Sequence, residues 1–250
     1  MADDIRPVYE HVLSLLDPSG ATAVLDLGCG RGEHLRMLAE RASEQVRLVG
    51  IDASPQSIEA ARAATEGDPR FTFVVHDLTE GIPFEDGAFD RVLSVNVLEA
   101  IPDKAALLRE THRVLSADGR LVFAHFDWDS QLYDGVDKAV VRKVVHAFAD
   151  WKQKWMADAV GWMGRRLWKT FQATGLFEGR VEAYVHTSTR FEPGRYGWER
   201  SRDFAGLVRR GIITAEEYQA FLAALEELAA RDEYFYAITM FSYVGAKAHR

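Results

Sequence analysis

Apolar residues in the first half of the chain come in short runs separated by stretches of helical periodicity. "AVLDL" (23–27), "VRLVGID" (46–52), "FTFVVHD" (71–77), "FDRVLSVN" (89–96) and "GRLVFAHF" (119–126) read as strands of a largely buried sheet. Between them the apolar positions return every three or four residues. They do so from Glu33 through Leu35, Leu38 and Ala39, over "SPQSIEAARAAT" (54–65), and over "DKAALLRETHRVL" (103–115). Ser54 before Pro55 marks a helix start. Strands alternating with helices predict right-handed crossovers and a parallel sheet, with ligands gathered at the carboxyl ends of the strands.

Beyond residue 128 the rhythm changes. Residues 131–158, 159–175 and 197–230 read as helical, while "GRVEAYVHTSTR" (179–190) and "YFYAITMFSYVGAKA" (234–248) read as late strands. Thr214 and Glu217 have the spacing of a capping box. The expected organisation is one α/β domain over 1–250. It has a ligand-binding core at 20–126 and helical insertions at 127–178 and 191–232, which suit a cover over a substrate.

The turn after the first strand adds chemistry to this outline. In "AVLDLGCGRGEHLRML" (23–38) the glycines Gly28, Gly30 and Gly32 alternate between a strand and a helix. A turn without side chains beside a helix N-terminus suits a bound anion or carboxylate, although tight geometry alone also calls for glycine. A pyrophosphate fingerprint needs a third glycine where this chain has Glu33, and that carboxylate would repel a pyrophosphate. Asp26 precedes the turn. Asp52 and Asp77 end the second and third strands, where carboxylates can accept from ribose hydroxyls and an adenine amino group, or else cap turns.

Composition narrows the function classes. The chain has 250 residues, of which 48% are hydrophobic and 27% charged, enough for a substantial core. A net charge of −8 argues against nucleic acid as the main partner. With no export signal and no apolar run near membrane-spanning length, a cytoplasmic protein without a membrane span is expected. Cys29 is the single cysteine and lies in the glycine turn, so no internal disulfide can form, and no metal site is expected.

"VLDLGCGRG", "LVGIDAS", "VVHDLTEGIPFEDGAFDRVLSVNVLEAI" and "LLRETHRVLSADGRLVF" together resemble a class I S-adenosylmethionine-dependent methyltransferase of the ubiquinone/menaquinone-biosynthesis type, over about residues 22 to 125. The resemblance implies a Rossmann-like, seven-stranded, mostly parallel sheet with an antiparallel last strand, plus helical cap insertions. It implies S-adenosyl-L-methionine as cofactor. The turn Asp26, Gly28, Cys29, Gly30 and Gly32 would hold its methionine part, Asp52 with Ala53 the ribose, Asp77 with Leu78 the adenine, and Asn96 would border the reacting centre. The methionine arm carries a carboxylate and an ammonium but no phosphate, which fits a short glycine turn with an acid before it. Many relatives carry a histidine where this chain has Ala100, so any chemistry of that histidine is absent here.

Methyl transfer from a sulfonium is an in-line displacement, so alignment and exclusion of water dominate, and a base is needed only for a protonated nucleophile. "AHFDWDS" (124–130) leaves the fifth strand at the expected pocket mouth. His125 is the candidate base, set against a plain strand-end histidine bonded to backbone. Asp127, Trp128, Asp129 and Tyr133 are substrate-side candidates, with Arg190 and Tyr236 possible further ones. Phe148, Trp151, Trp155 and Trp162 fall near one helical face, as core contacts or as an aromatic lining for a flat or cationic acceptor. The expected reaction is methyl transfer to nitrogen or oxygen, less readily carbon, of a small molecule. A nicotinamide-dependent oxidoreductase, a non-catalytic cofactor-binding scaffold and a protein methyltransferase stay open as alternatives.

Overall fold

The structure is a computed structural model that describes residues 2–135, 137–152 and 161–248. Five strands run parallel: β1 (Ala23–Leu27), β2 (Arg47–Asp52), β3 (Phe71–Val75), β4 (Phe89–Val95) and β5 (Leu115–Phe126), in the order β3-β2-β1-β4-β5. A two-residue strand, β6 (Leu132–Tyr133), follows β5. β7 (Phe177–Ser188) and β8 (Tyr236–Lys247) form an antiparallel pair, and β8 inserts antiparallel beside β5. β6 also pairs with β8, at Leu132↔Ala237 and Tyr133↔Tyr236. It therefore extends the β5 edge after an excursion through residues 127–131. Among the described residues the sheet comprises the expected seven strands and the two-residue β6, with the last strand antiparallel as expected.

β1 is buried along its whole length. Val24 packs into the apolar layer on one face of the sheet, Leu25 and Leu27 into the layer on the other. That two-sided burial explains why its sequence is continuous rather than alternating. α1 (Arg6–Leu16) lies on the first face and buries Val8, Val12, Leu13 and Leu16. It was not among the expected helices. α2 (Glu33–Ala39), α3 (Pro55–Ala64) and α4 (Lys104–Val114) are the crossovers between parallel strands. Ser54 Oγ caps α3 by accepting from Ser57 N at 3.2 Å, and Asp103 caps α4 through Ala106 N.

The second half departs more from expectation. Where one helix was expected over 131–158, the chain forms β6 and then α5 (Lys138–Ala149), whose start Asp137 caps through Ala139 N and Val140 N. Residues 153–160, and with them Trp155, lie outside the described residues. α6 (Met163–Gln172) buries Met163, Leu167 and Phe171 against the β5–β8 face. The helical stretch at 197–230 is three helices: α7 (Tyr196–Asp203), α8 (Ala205–Arg209) and α9 (Ala215–Ala230). Gly211, in the left-handed region at φ +68°, breaks the chain between the last two. The capping box of Thr214 and Glu217 starts α9. No described helix is long and apolar enough to cross a membrane.

Candidate active site

The chain turns at the end of β1 by donating both Gly28 N–H and Cys29 N–H to the carbonyl of Ile51, at 2.8 and 2.9 Å. Gly28, Gly30 and Gly32 all have positive φ, at +73°, +53° and +74°, angles that side chains disfavour. Their surroundings differ. A Cβ on Gly28 would lie 2.3 Å from Val97 Cγ2 and one on Gly32 would lie 3.0 Å from Phe73 Cζ, whereas one on Gly30 would meet nothing within 4 Å. The first and third glycines serve packing, and the middle one leaves space. Cys29 is buried with its sulfur packed toward Gly50, and burial pushes its thiol well above the usual range. That environment holds a neutral, inert thiol.

Asp26, just before the turn, is fully buried, and neither carboxylate oxygen has a hydrogen-bond partner. The nearest cationic candidate is His34 Nδ1 at 3.8 Å from Oδ2. A buried carboxylate without donors is costly in a ligand-free fold. An ammonium-bearing ligand in the turn would remove that cost, so the donor set fits the amino-acid arm of S-adenosylmethionine.

A cleft of about 340 Å³ opens past this turn, lined among others by Gly28, Asp52, Ala53, Asp77, Leu78 and Asn96. Its volume falls in the ~300–1,000 Å³ span of small-ligand sites. Asp52 Oδ2 accepts from Gly30 N at 2.9 Å and Oδ1 from Ser54 N at 2.9 Å. One carboxylate thus ties the glycine turn to the start of α3 and retains lone pairs toward the cleft. Asp77 Oδ1 accepts from both Thr79 N and Thr79 Oγ1 at 2.8 Å, which lowers its carboxyl pKa and leaves Oδ2 free of bonds within the turn. His76, Thr79, Val97 and Ile101 line the same cleft and were not among the candidates. His76 and Thr79 flank Asp77 and its Leu78, so adjacency in sequence was the available signal.

Asn96 adopts φ +57° at the end of β4. Such strain in a non-glycine residue persists where neighbours enforce it. Here Asn96 N donates to Ala124 O and its side-chain Oδ1 accepts from Phe126 N, both at 2.9 Å. The residue clamps the ends of β4 and β5 side by side at the lip of the cleft.

The β5 end is arranged differently from expectation. His125 does not line the cleft: it is 1% exposed, and its Nδ1–H donates to the carbonyl of Phe126 at 2.8 Å. Burial depresses its pKa to about 4. Glu99, which the sequence reading passed over, lies 3.7 Å from His125 Nε2 through Oε2, and the same oxygen accepts from Trp128 Nε1 at 2.8 Å. Desolvation raises Glu99 to about 7.

Asp127 is fully buried and forms a two-pronged ion pair with Arg165, at 2.5 Å on each arm, while also accepting from Arg165 N in the first turn of α6. Asp129 accepts from Trp162 Nε1 at 2.9 Å and lies 3.6 Å from Arg165. Both acids anchor the segment 161–165 and do not project as free charges. Tyr133 is a core residue whose hydroxyl donates to Gly197 O at 3.0 Å, and Tyr236 is likewise buried, donating to Gln131 Oε1. Arg190 is exposed. Trp162 stands apart from the Phe148–Trp151 pair and instead lies under the guanidinium of Arg165 at 4.7 Å, so the expected single aromatic stripe is broken up.

Around Phe126 the aromatic rings are continuous. Its ring stacks on Tyr196 at 5.4 Å, lies 5.4 Å from Trp128 and 6.4 Å from Tyr9. Tyr9 in turn lies 4.9 Å from His34. Tyr9 and Tyr196 were missed because α1 and α7 carry no motif and only the fold brings them beside Phe126, whereas His34 stands at the start of α2 directly after the glycine turn, where adjacency was the available signal.

Comparison with known proteins agrees with this geometry. A family model described as a methyltransferase domain matches residues 18–177. The 2-methyl-6-phytyl-1,4-hydroquinone methyltransferase of Synechocystis is 36% identical over 169 residues, 66% of this chain and 49% of that protein. The ubiquinone/menaquinone biosynthesis C-methyltransferase UbiE of Citrifermentans bemidjiense is 34% identical over 111 residues, 43% of this chain and 47% of that protein. The chain spans about half the length of the curated relatives it matches. Among solved structures, YcgJ of Bacillus subtilis superposes with a TM-score of 0.62 at 16% identity, covering 98% of this chain and all of that one. Phosphoethanolamine N-methyltransferase 2 of Haemonchus contortus, solved with S-adenosyl-L-methionine, gives 0.59 at 17% identity over 97% of this chain and 53% of that one. With the sheet order, the glycine turn and the family match over residues 18–177 in agreement, the chain belongs to the class I S-adenosylmethionine-dependent methyltransferases.

Proposed function

We propose that the protein transfers a methyl group to a flat small-molecule acceptor of phenol or hydroquinone character, at oxygen or at an electron-rich ring carbon. The observation that carries the cofactor half of this reading is the buried, partnerless carboxylate of Asp26 beneath the glycine turn. It suits an ammonium and would repel a pyrophosphate, which separates the reading from a nicotinamide oxidoreductase. Bound S-adenosylmethionine supplies an electrophilic methyl group on a sulfonium. Asp26 would take the ammonium, Asp52 the ribose hydroxyls and Asp77 the adenine amino group, while Gly30 leaves room for the arm.

The acceptor half rests on Tyr9 and Trp128, partly buried rings packed against the buried Phe126 beside the Asn96 clamp, whose aromatic faces suit a planar molecule. Alkyl ammonium acceptors need a base, yet His125 is enclosed and depressed to about 4, and Asp127 is held by Arg165. An electron-rich ring carbon attacks before its proton is lost and so avoids that requirement, whereas a phenol oxygen is protonated near neutrality and does not. The names of the hydroquinone and quinone-pathway relatives support carbon as a target more strongly than the sequence alone does.

Two measurements test the reading. Thermal shift should show stabilisation by S-adenosylmethionine or its demethylated product and none by nicotinamide dinucleotides. Labelled methyl transfer to a panel of hydroquinones, phenols, amines and carboxylates should then mark a hydroquinone or phenol. Label on an amine or a carboxylate would overturn the acceptor assignment, and stabilisation by the dinucleotide alone would overturn the cofactor assignment.

A further inference from the structure

β7 closes the sheet on one side, and among the described residues no strand pairs with its outer edge. The strand pairs with β8 from Phe177↔Lys247 to Ser188↔Tyr236 without a register shift, so its other edge is a long, regular row of unpaired N–H and C=O groups. Such edges are usually blunted by proline, a bulge or brevity. "FEGRVEAYVHTS" has no proline and runs 12 residues.

Both faces of this edge carry a pattern. On one face Val181 and Val185 are 36% and 56% exposed. Val181 is the register partner of Tyr243, whose ring lies 6.4 Å from that of Trp168, and Trp168 is itself 49% exposed. Val181, Val185 and Trp168 thus form an apolar strip along the edge. On the opposite face Arg180 and Glu182 stand two residues apart, joined at 2.6 Å and open to solvent.

We infer that β7 is the self-association edge of this protein, pairing antiparallel with β7 of a second copy about a two-fold axis at Val181. An antiparallel pair with its axis on residue 181 sets Arg180 opposite Glu182 of the second copy and Glu182 opposite its Arg180. Two charge-complementary cross-strand pairs result from one symmetric register. The same register sets Val181 against its own copy and Val185 against Phe177. It joins the two apolar strips and continues the sheet from one molecule into the other. An axis moved one residue toward the C-terminus sets Glu182 against itself, and one moved one residue toward the N-terminus sets Arg180 against itself. Like charges therefore disfavour both neighbouring registers.

Sedimentation velocity on the full chain, over a range of concentrations, tests this. The wild type should show a reversible monomer–dimer equilibrium. Arg180→Glu and Glu182→Arg should each raise the dimer dissociation constant by about tenfold or more, since each turns two attractive pairs into repulsive ones. The double exchange of both should restore dimerisation to near the wild-type value. Circular dichroism and S-adenosylmethionine binding of the variants should stay at wild-type levels, because neither residue lies at the cofactor cleft. A wild type monomeric at every concentration would overturn the inference and make the charges guards of a solitary edge. A dimer indifferent to both single reversals would overturn it too, by placing the interface elsewhere.

Discussion

His125 Nε2 and Glu99 Oε2 face each other at 3.7 Å inside the protein, and neither residue is more than 4% exposed. The Phe126 carbonyl can only accept, so the proton of the neutral imidazole sits on Nδ1 and Nε2 presents a lone pair. Glu99 Oε2, ionised, would present another. The two atoms are too far apart for a hydrogen bond, and burial favours the neutral form of each, the imidazole without a second proton and Glu99 with one. Trp128 reads that arrangement through its indole N–H on the same oxygen.

The pH dependence of stability follows from the directions of the two shifts. His125 falls from an ordinary 6.5 to about 4, so its contribution is present above 6.5 and is lost as pH falls toward 4. Glu99 rises from 4.5 to about 7, so its contribution is present below 4.5 and is lost as pH rises toward 7. Between 4.5 and 6.5 folded and unfolded chains each bind one proton at this pair, and its net effect on stability is flat. Removing one member uncovers the other. Urea unfolding of Glu99→Gln should show about 2–3 kcal/mol lost on acidification from 6.5 to 4, and His125→Gln about the same lost on raising pH from 4.5 to 7. Wild-type profiles in both variants would refute the two opposed shifts.

The glycine turn gives two substitutions with opposite failures. Gly28→Ala drives its Cβ into Val97 and should destabilise the fold by about 1–3 kcal/mol, seen as a lower denaturant midpoint. The branched valine would cost more. A Cβ at Gly30 meets nothing within 4 Å, so Gly30→Val should lose only about 1–2 kcal/mol to its φ of +53°. Yet it should abolish detectable S-adenosylmethionine binding by calorimetry. Normal binding by Gly30→Val would mean that the open face of the turn holds nothing.

How much of this was legible follows from where each contact originates. The turn, Asp52 and Asp77 were readable because strand ends and glycines lie within a few residues of the groups they position. The crossovers were readable because β1 to β5 have either unbroken apolar runs or strong caps such as Ser54. Glu99 was not: its weight comes from burial and from Trp128 and His125, 29 and 26 positions away. The surroundings of Tyr133 were not legible, because an aromatic residue after a strand has the same local pattern whether it lines a pocket or pairs with β8, and here it does both. The pairing of Asp127 was not legible, because Arg165 lies across an insertion that no periodicity ties to β5.

Tyr133 and Trp128, one core and one beside the candidate acceptor wall, should separate. Tyr133 is enclosed by Phe204, Phe221 and Tyr236. Tyr133→Ala should cost about 3–5 kcal/mol of stability, with cofactor and acceptor binding lost together as the fold weakens. Trp128→Phe keeps an aromatic body but removes the N–H to Glu99. It should lower turnover several-fold while cofactor affinity stays within about twofold, because the cofactor candidates lie between Asp26 and Asn96. Equal losses of cofactor and acceptor affinity in a well-folded Trp128→Phe would take Trp128 away from the acceptor side.

Asp26→Asn is the sharpest test of the cofactor reading, because folding and binding should move in opposite directions. The wild-type carboxylate is fully buried without a donor, so the ligand-free fold carries its desolvation cost. Replacing the charge with a neutral amide should raise the melting temperature of the ligand-free protein. The same change removes the partner of the ligand's ammonium, so affinity for S-adenosylhomocysteine should fall about 10- to 150-fold, the equivalent of ~1.5–3 kcal/mol for a hydrogen bond to a charged group. Methylthioadenosine carries the nucleoside and sulfur without the amino-acid arm, and its affinity should be unchanged. Calorimetry with both ligands separates local recognition from a damaged site: equal losses would mean that Asp26 shapes the turn and does not meet the ammonium.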